Sequence, residues 1–304
     1  MPPVPDKLKS DLNRAIHLEW WTLGWQASIV VIMFLVMGSS QAMKSAWAED
    51  LLGLLPATVF LLAVHFERKA PNRKFPYGFQ RVNSLAFLAS SSVLAFMGLY
   101  LLYDSGSKLI AMEHPTLGPL EVFGETIWIG WAMMAALAYS VVPPVILGRL
   151  KKPVAERLKD KVLHTDALMQ KADWMTGVAG ILGIVGVGFG LWWADSAAAA
   201  LIAFDIVHDG YRAARVAMAE LIDGMPRELG STAVADDAKA LREGLQERFP
   251  EAEVRLRETG RYIAAEVVGA EAPAKAIALE DYWAGDPERA WRLANLSFAP
   301  REGA

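Results

Sequence analysis

Apolar and polar positions divide this chain into two regimes. Long apolar runs dominate to about residue 222, and charged residues then take over. A helix needs about 20 apolar residues to cross a hydrocarbon core about 30 Å thick. Six stretches qualify: 19–38, 43–65, 84–103, 122–148, 165–193 and 196–217. The second is the least obvious, because Lys44, Glu49 and Asp50 sit in or near it. Pro143-Pro144 predicts a kink or break at the end of the fourth. The fifth carries Gly177, Gly180, Gly183, Gly186, Gly188 and Gly190. No strand precedes them and no G-x-G-x-x-G occurs, so they predict close helix packing rather than nucleotide binding. Trp20, Trp21, Trp192 and Trp193 fall where interfacial anchors belong.

After Asp223-Gly224-Met225-Pro226, a helix stop, the pattern changes. Val234, Ala238, Leu241, Leu245 and Phe249 recur at helical spacing. Alternation over 254–256 and 262–268, around Glu258-Thr259-Gly260, predicts a β-hairpin. A short helix near 274–282 and a strand near 291–298 complete an α-β-β-α-β order. The expected fold is an all-α membrane domain of six transmembrane helices over residues 1–226. A small α+β, ferredoxin-like domain follows over 227–304.

Composition agrees with a membrane protein. The 304 residues are 54% hydrophobic, with mean hydropathy +0.25, whereas soluble domains are about 45–50% apolar. A net charge of -4 gives no basis for a nucleic-acid partner, and the absence of cysteine excludes disulfides and thiolate metal sites. The polar N-terminus has no signal-peptide cleavage pattern, so the first apolar stretch is expected to remain as a helix. Arg68, Lys69, Arg73, Lys74 and Arg81 follow the second span; Arg149, Lys151, Lys152, Arg157, Lys159 and Lys161 follow the fourth. This bias places both loops and both termini in the cytoplasm.

Ionisable groups inside spans cost about 2.5–3.5 kcal/mol each at the helix centre, which marks them as candidates for function. Asp50 lies in the second span, and Asp166 and Asp173 in the fifth. Asp166, Met169 and Asp173 are spaced i, i+3, i+7 and share one helical face, bordered by Gln170. Carboxylates from two helices would make an oxygen-rich cation site. The alternative is a set of structural ion pairs, for instance Asp173 or Asp50 with Lys171 or Lys44. Asp205 and His208 are expected to pair with Lys171, Glu19 to sit at headgroup level, and His164 to be interfacial. No nucleophile lies beside a base, so no enzyme is expected.

Gly38-Ser39, Glu49-Asp50-Leu51-Leu52, Phe75-Pro76-Tyr77-Gly78-Phe79-Gln80-Arg81, Thr165-Asp166-Ala167-Leu168-Met169 to Asp173, and Leu221-Ile222-Asp223-Gly224 occur in an order and spacing that resemble the cation diffusion facilitator family. The hairpin with Arg257 and Gly260-Arg261-Tyr262 is similar to the start of that family's cytoplasmic domain. The resemblance implies a homodimer in the inner membrane that exports a divalent metal cation (zinc, iron, cobalt, manganese or similar) in exchange for protons. Transport would proceed by alternating access, with no resident cofactor. The implied site lies between the second and fifth spans. Asp50 and Asp173 match the family's ligands, whereas Ala46 and Met169 stand where two others belong; Phe75 replaces a His and Asn83 a Glu. The site would then draw on Glu49, Asp166, Gln170 or the Met169 thioether. A second reading is a transport-deficient relative acting as a dimeric regulatory or scaffolding subunit. All five histidines precede the tail, so that domain is expected to dimerise without a metal cluster.

Overall fold

A computed structural model describes residues 6–36, 47, 50–112, 119–122, 125–274 and 278–301. Its helices are α1 (Asp6–Val36), α2 (Leu54–Glu67), α3 (Arg81–Ile110), α4 (Ile129–Leu158), α5 (Lys161–Gly188) and α6 (Ala194–Leu221). Among the described residues, three helical segments are both long and apolar enough to cross a membrane: Asp50–Glu67, Arg81–Ile110 and Met134–Leu158. Helices α1, α5 and α6 have the length, at 31, 28 and 28 residues, but carry several charged side chains. The residues expected to open the second span, including Ala46 and Glu49, lie outside the described residues.

The fourth span begins later than its hydropathy suggests. Strand β1 (Pro119–Val122) pairs antiparallel with β2 (Glu125–Trp128), from Pro119↔Trp128 to Val122↔Glu125. Val122, Thr126, Ile127 and Trp128 suit a strand better than a helix. Helix α4 then runs without interruption through Pro143, Pro144 and Pro153. Apolar helices tolerate proline where neighbouring groups compensate for the missing N–H.

Small residues set the tightest helix contact. A Cβ at Gly98 would fall 2.7 Å from the Val207 backbone nitrogen, and one at Gly210 would fall 2.5 Å from Ala95 Cα. Helices α3 and α6 therefore meet backbone to backbone, as small residues allow in apolar surroundings. At the end nearest the C-terminal domain, Leu12, Phe60, Ala63, Phe87, Ala155, Leu163 and Ala217 form one buried core.

The C-terminal domain consists of α7 (Asp236–Arg248) and a three-stranded sheet in the order β3 (Glu253–Thr259), β4 (Tyr262–Val268), β5 (Leu293–Ala299). Strands β3 and β4 are antiparallel, and β4 and β5 parallel. Leu241 and Leu245 of α7 pack on Val254, Leu256, Ile263 and Leu293. The described residues between β4 and β5 include two 3₁₀ turns, Leu279–Tyr282 and Pro287–Arg292; the first falls at the end of the short helix expected near 274–282, of which 275–277 lie outside the described residues. Gly285, at φ 119°, separates the two turns, Pro287 opens the second, and the Asp286 side chain caps it.

The β3–β4 turn enters the membrane domain between helix ends. Gly260, at φ 61°, has no room for a side chain, because a Cβ would lie 3.0 Å from the Gln80 carbonyl oxygen. Its N–H donates to Ser84 Oγ at 2.9 Å. Arg261, with only 3% of its side chain exposed, pairs with Asp160 at 2.7 Å and Glu67 at 3.1 Å. Asp160 also caps α5, accepting from the Leu163 N–H at 2.9 Å. Lys161 bridges Glu220, at 3.1 Å, and Glu258. Arg292 reaches Asp237 at 2.7 Å and Glu258 at 3.2 Å. Burial alone would depress the Arg261 guanidinium, but Glu67 and Asp160 outweigh it and hold it above its ordinary range. Burial pushes the neighbouring Tyr262 hydroxyl up to about 12. Replacing Arg261 by Met leaves Asp160 and Glu67 buried without their counter-ion. The expected cost is about 3–5 kcal/mol, read as a lower melting temperature in detergent and faster proteolysis of the C-terminal domain.

Candidate metal centre

Asp50 stands in a short helical turn that Gly53 separates from α2. The break is held from α1: Gln26, 4% exposed, donates from Nε2 to the Asp50 backbone carbonyl at 3.1 Å. A Cβ at Gly53 would lie 3.0 Å from that same nitrogen, so glycine makes room for the amide. Asp173 lies in α5, half-buried, with Thr176 Oγ1 donating to its backbone carbonyl at 3.0 Å. Leu94, Met97, Met169, Ala172 and Ile206 form a buried cluster against which Leu52 packs. Leu52 follows Asp50 by two residues and Ala172 precedes Asp173, so this cluster brings together the two helical segments that carry the carboxylates.

Met169 is fully buried within that cluster, among aliphatic side chains from α3 and α6. Asp166 points elsewhere. Its carboxylate pairs with Lys151 of α4, whose Nζ also lies 2.9 Å from Glu19 Oε2 of α1. All three side chains are 0% exposed. Two carboxylates share one ammonium, and Glu19 Oε1, Asp166 Oδ1 and Gln170 Nε2 are buried with no hydrogen-bond partner among the described residues. The shared helical face of Asp166, Met169 and Asp173 thus serves different surroundings. Among the described residues, no group of three or more His, Asp or Glu side chains converges on a metal-sized site. Glu49 lies outside the described residues.

Lys171 pairs with Asp205 at 2.5 Å and Asp209 at 3.4 Å on α6, and Asp209 also accepts from Arg212 at 2.6 Å. Arg81 pairs with Asp223 beyond α6, and Arg257 reaches the same carboxylate at 3.6 Å. In the Phe75–Arg81 segment, Asn72 Oδ1 accepts from the N–H groups of Lys74 and Phe75, each at 2.9 Å. The Phe75 and Phe79 rings lie 4.8 Å apart.

Sequence reasoning missed the Glu19–Lys151–Asp166 group, placing Glu19 at headgroup level and Lys151 in a loop. A signal was present. Leu8, Leu12, Ala15, Glu19, Thr22 and Gln26 recur at steps of three and four, and all are buried, while Trp20 and Trp21 are 63% and 70% exposed. Glu19 therefore continues the inward stripe of α1.

Residues 25–222 match the family model described as the cation efflux transmembrane domain. The manganese efflux system protein MneS of Bacillus subtilis is 22% identical over 185 residues, spanning 61% of this chain and 60% of that protein. A probable cation efflux system protein of Mycobacterium tuberculosis is 26% identical over 246 residues, 80% of this chain and 69% of that one. The cation-efflux pump FieF of Shewanella oneidensis is 23% identical over 259 residues, covering 80% of each chain.

Proposed function

Because this chain belongs to the cation efflux family, also called the cation diffusion facilitators, we propose that it exports a divalent metal cation by alternating access of a site between α2 and α5. The observation that carries this reading is the cluster in which Leu52, two residues after Asp50, meets Ala172, the neighbour of Asp173 in the chain. Asp50, Asp173 and Glu49 supply hard oxygen donors, which suit manganese or iron(II) better than zinc in the absence of imidazole. Met169 would reach the ion only after its cluster opens. Asp166 would join the site only by leaving Lys151.

We read the six helices as six spans, the chain as a homodimer of the inner membrane with both termini in the cytoplasm, and the small sheet with α7 as a ferredoxin-like domain. The basic residues that follow α2 (Arg68, Lys69, Arg73, Lys74) and those in the last turns of α4 and just past it (Arg149, Lys152, Arg157, Lys159) support the orientation. Protons are the proposed counter-ion, carried by carboxylates. No step makes or breaks a covalent bond, and no resident cofactor takes part. A transport-deficient regulatory relative is the second reading. It is favoured by Met169 lying closed in aliphatic packing and Asp166 tied to Lys151.

Everted membrane vesicles separate the two. The carrier reading expects manganese, iron(II), cobalt or zinc to accumulate at a rate that depends on this protein, with uptake abolished by an uncoupler. Uptake equal to that of empty vesicles for every metal would overturn it.

A further inference from the structure

A cavity of about 290 Å³ opens between α4 and α5, at the end of the bundle nearest the C-terminal domain. Its lining is graded along the helices. Arg149 and Lys152 of α4 and His164 of α5 lie at the end nearer the domain; Val145, Leu168 and Trp174 lie deeper. Lys152 and Val145 are seven residues apart on one helix, about 10 Å along the axis.

The charges point to an anion. Among the described residues, no Asp or Glu lines the cavity. Arg149 and Lys152 are exposed, and neither has an ion-pair partner among the described residues. Glu156, one turn past Lys152, does not line it. Lys171 contributes a third cation at the wall, its ammonium held by Asp205 and Asp209 of α6. His164 Nδ1 is buried and has no hydrogen-bond partner among the described residues. A divalent cation is repelled by such a lining, so the cavity stands apart from the metal route. An amphiphile with an anionic head fits its polarity: cations for a phosphate at one end, an apolar wall for acyl chain at the other.

We propose that the α4–α5 cavity is a binding site for an anionic phospholipid, its phosphate held by Arg149 and Lys152 and its proximal acyl chain lying along Val145, Leu168 and Trp174. The inference rests on the reading of α4 and α5 as membrane spans but requires no transport.

Purified protein in neutral detergent is titrated with phosphatidylglycerol or phosphatidylcholine, and bound lipid is counted by native mass spectrometry. Phosphatidylglycerol is expected to be retained at least tenfold better than phosphatidylcholine. Arg149→Gln with Lys152→Gln should remove that preference while Lys152→Arg keeps it, with melting temperatures confirming that each variant is folded. If the double variant does not fold, each single Gln variant should lower the preference. Retention indifferent to headgroup charge or to these substitutions would overturn the proposal. Displacement of the lipid by millimolar inorganic phosphate would also overturn it, assigning the cations to a free anion. Absence of metal uptake in vesicles with lipid selectivity intact would refute the carrier reading alone.

Discussion

Asp173→Asn and Asp50→Asn are each expected to reduce metal transport below about one hundredth of the unsubstituted rate, with the protein still folded. A hundredfold loss corresponds to about 2.7 kcal/mol. Asparagine keeps the shape of the carboxylate and one acceptor oxygen but removes the charge that a divalent cation requires. The apolar cluster that joins the two helical segments does not change, so melting temperatures should stay within a few degrees. Met169→His supplies the complementary test. An imidazole is a stronger zinc ligand than a thioether, and a tenfold tighter zinc affinity, about 1.4 kcal/mol, is expected if residue 169 can face the ion. Calorimetry with zinc and manganese on these three variants, beside vesicle uptake, distinguishes a metal centre from structural charges. Asn variants that fail to fold, together with a Met169→His variant of unchanged zinc affinity, would remove Asp50 and Asp173 from the proposed site.

Lys151→Met should cause a large loss of stability, about 3–5 kcal/mol, because it strands two carboxylates with no counter-ion in a fully buried place. Asp166→Asn acts on the same group in the opposite sense. It leaves one ammonium facing Glu19 at 2.9 Å and an amide that still accepts a hydrogen bond. Its expected cost is smaller, about 1–3 kcal/mol, and transport should survive. Melting curves in detergent and uptake assays on both variants decide the role of Asp166. Lost transport at unchanged stability for Asp166→Asn would make it a metal ligand instead of a partner of Lys151.

Much of the architecture was legible because unbroken apolar runs leave a chain few choices. The third, fifth and sixth spans lie within or close to α3, α5 and α6. The second hairpin was readable from alternation, and β3 and β4 lie where the alternating positions fall. The start of the fourth span was not, since an apolar stretch such as Val122 to Trp128 suits either a strand or a helix until length and pairing decide. Of the short helix expected near 274–282, the described residues show a 3₁₀ turn at Leu279–Tyr282, while 275–277 lie outside the described residues. The candidate site was readable as a set of charges but not as a geometry. Whether Asp166 meets Asp50 or Lys151 depends on how α4 and α5 are turned toward each other, and no local spacing records that rotation. Glu19 and Lys151 lie 132 positions apart, so only the stripe along α1 carried a trace of their meeting.

The backbone contact between α3 and α6 bears on which sequences this fold can drift through. At positions 98 and 210 even a methyl group collides with main-chain atoms of the facing helix, and main chain cannot turn aside as a side-chain tip can. A lineage that loses either glycine must separate the two helices along their length, whereas Gly24 and Gly106, with nothing within 4 Å of an added Cβ, are open to exchange. Variation among natural or laboratory-selected descendants should therefore spread over the latter pair and leave the former fixed, whatever metal those descendants carry.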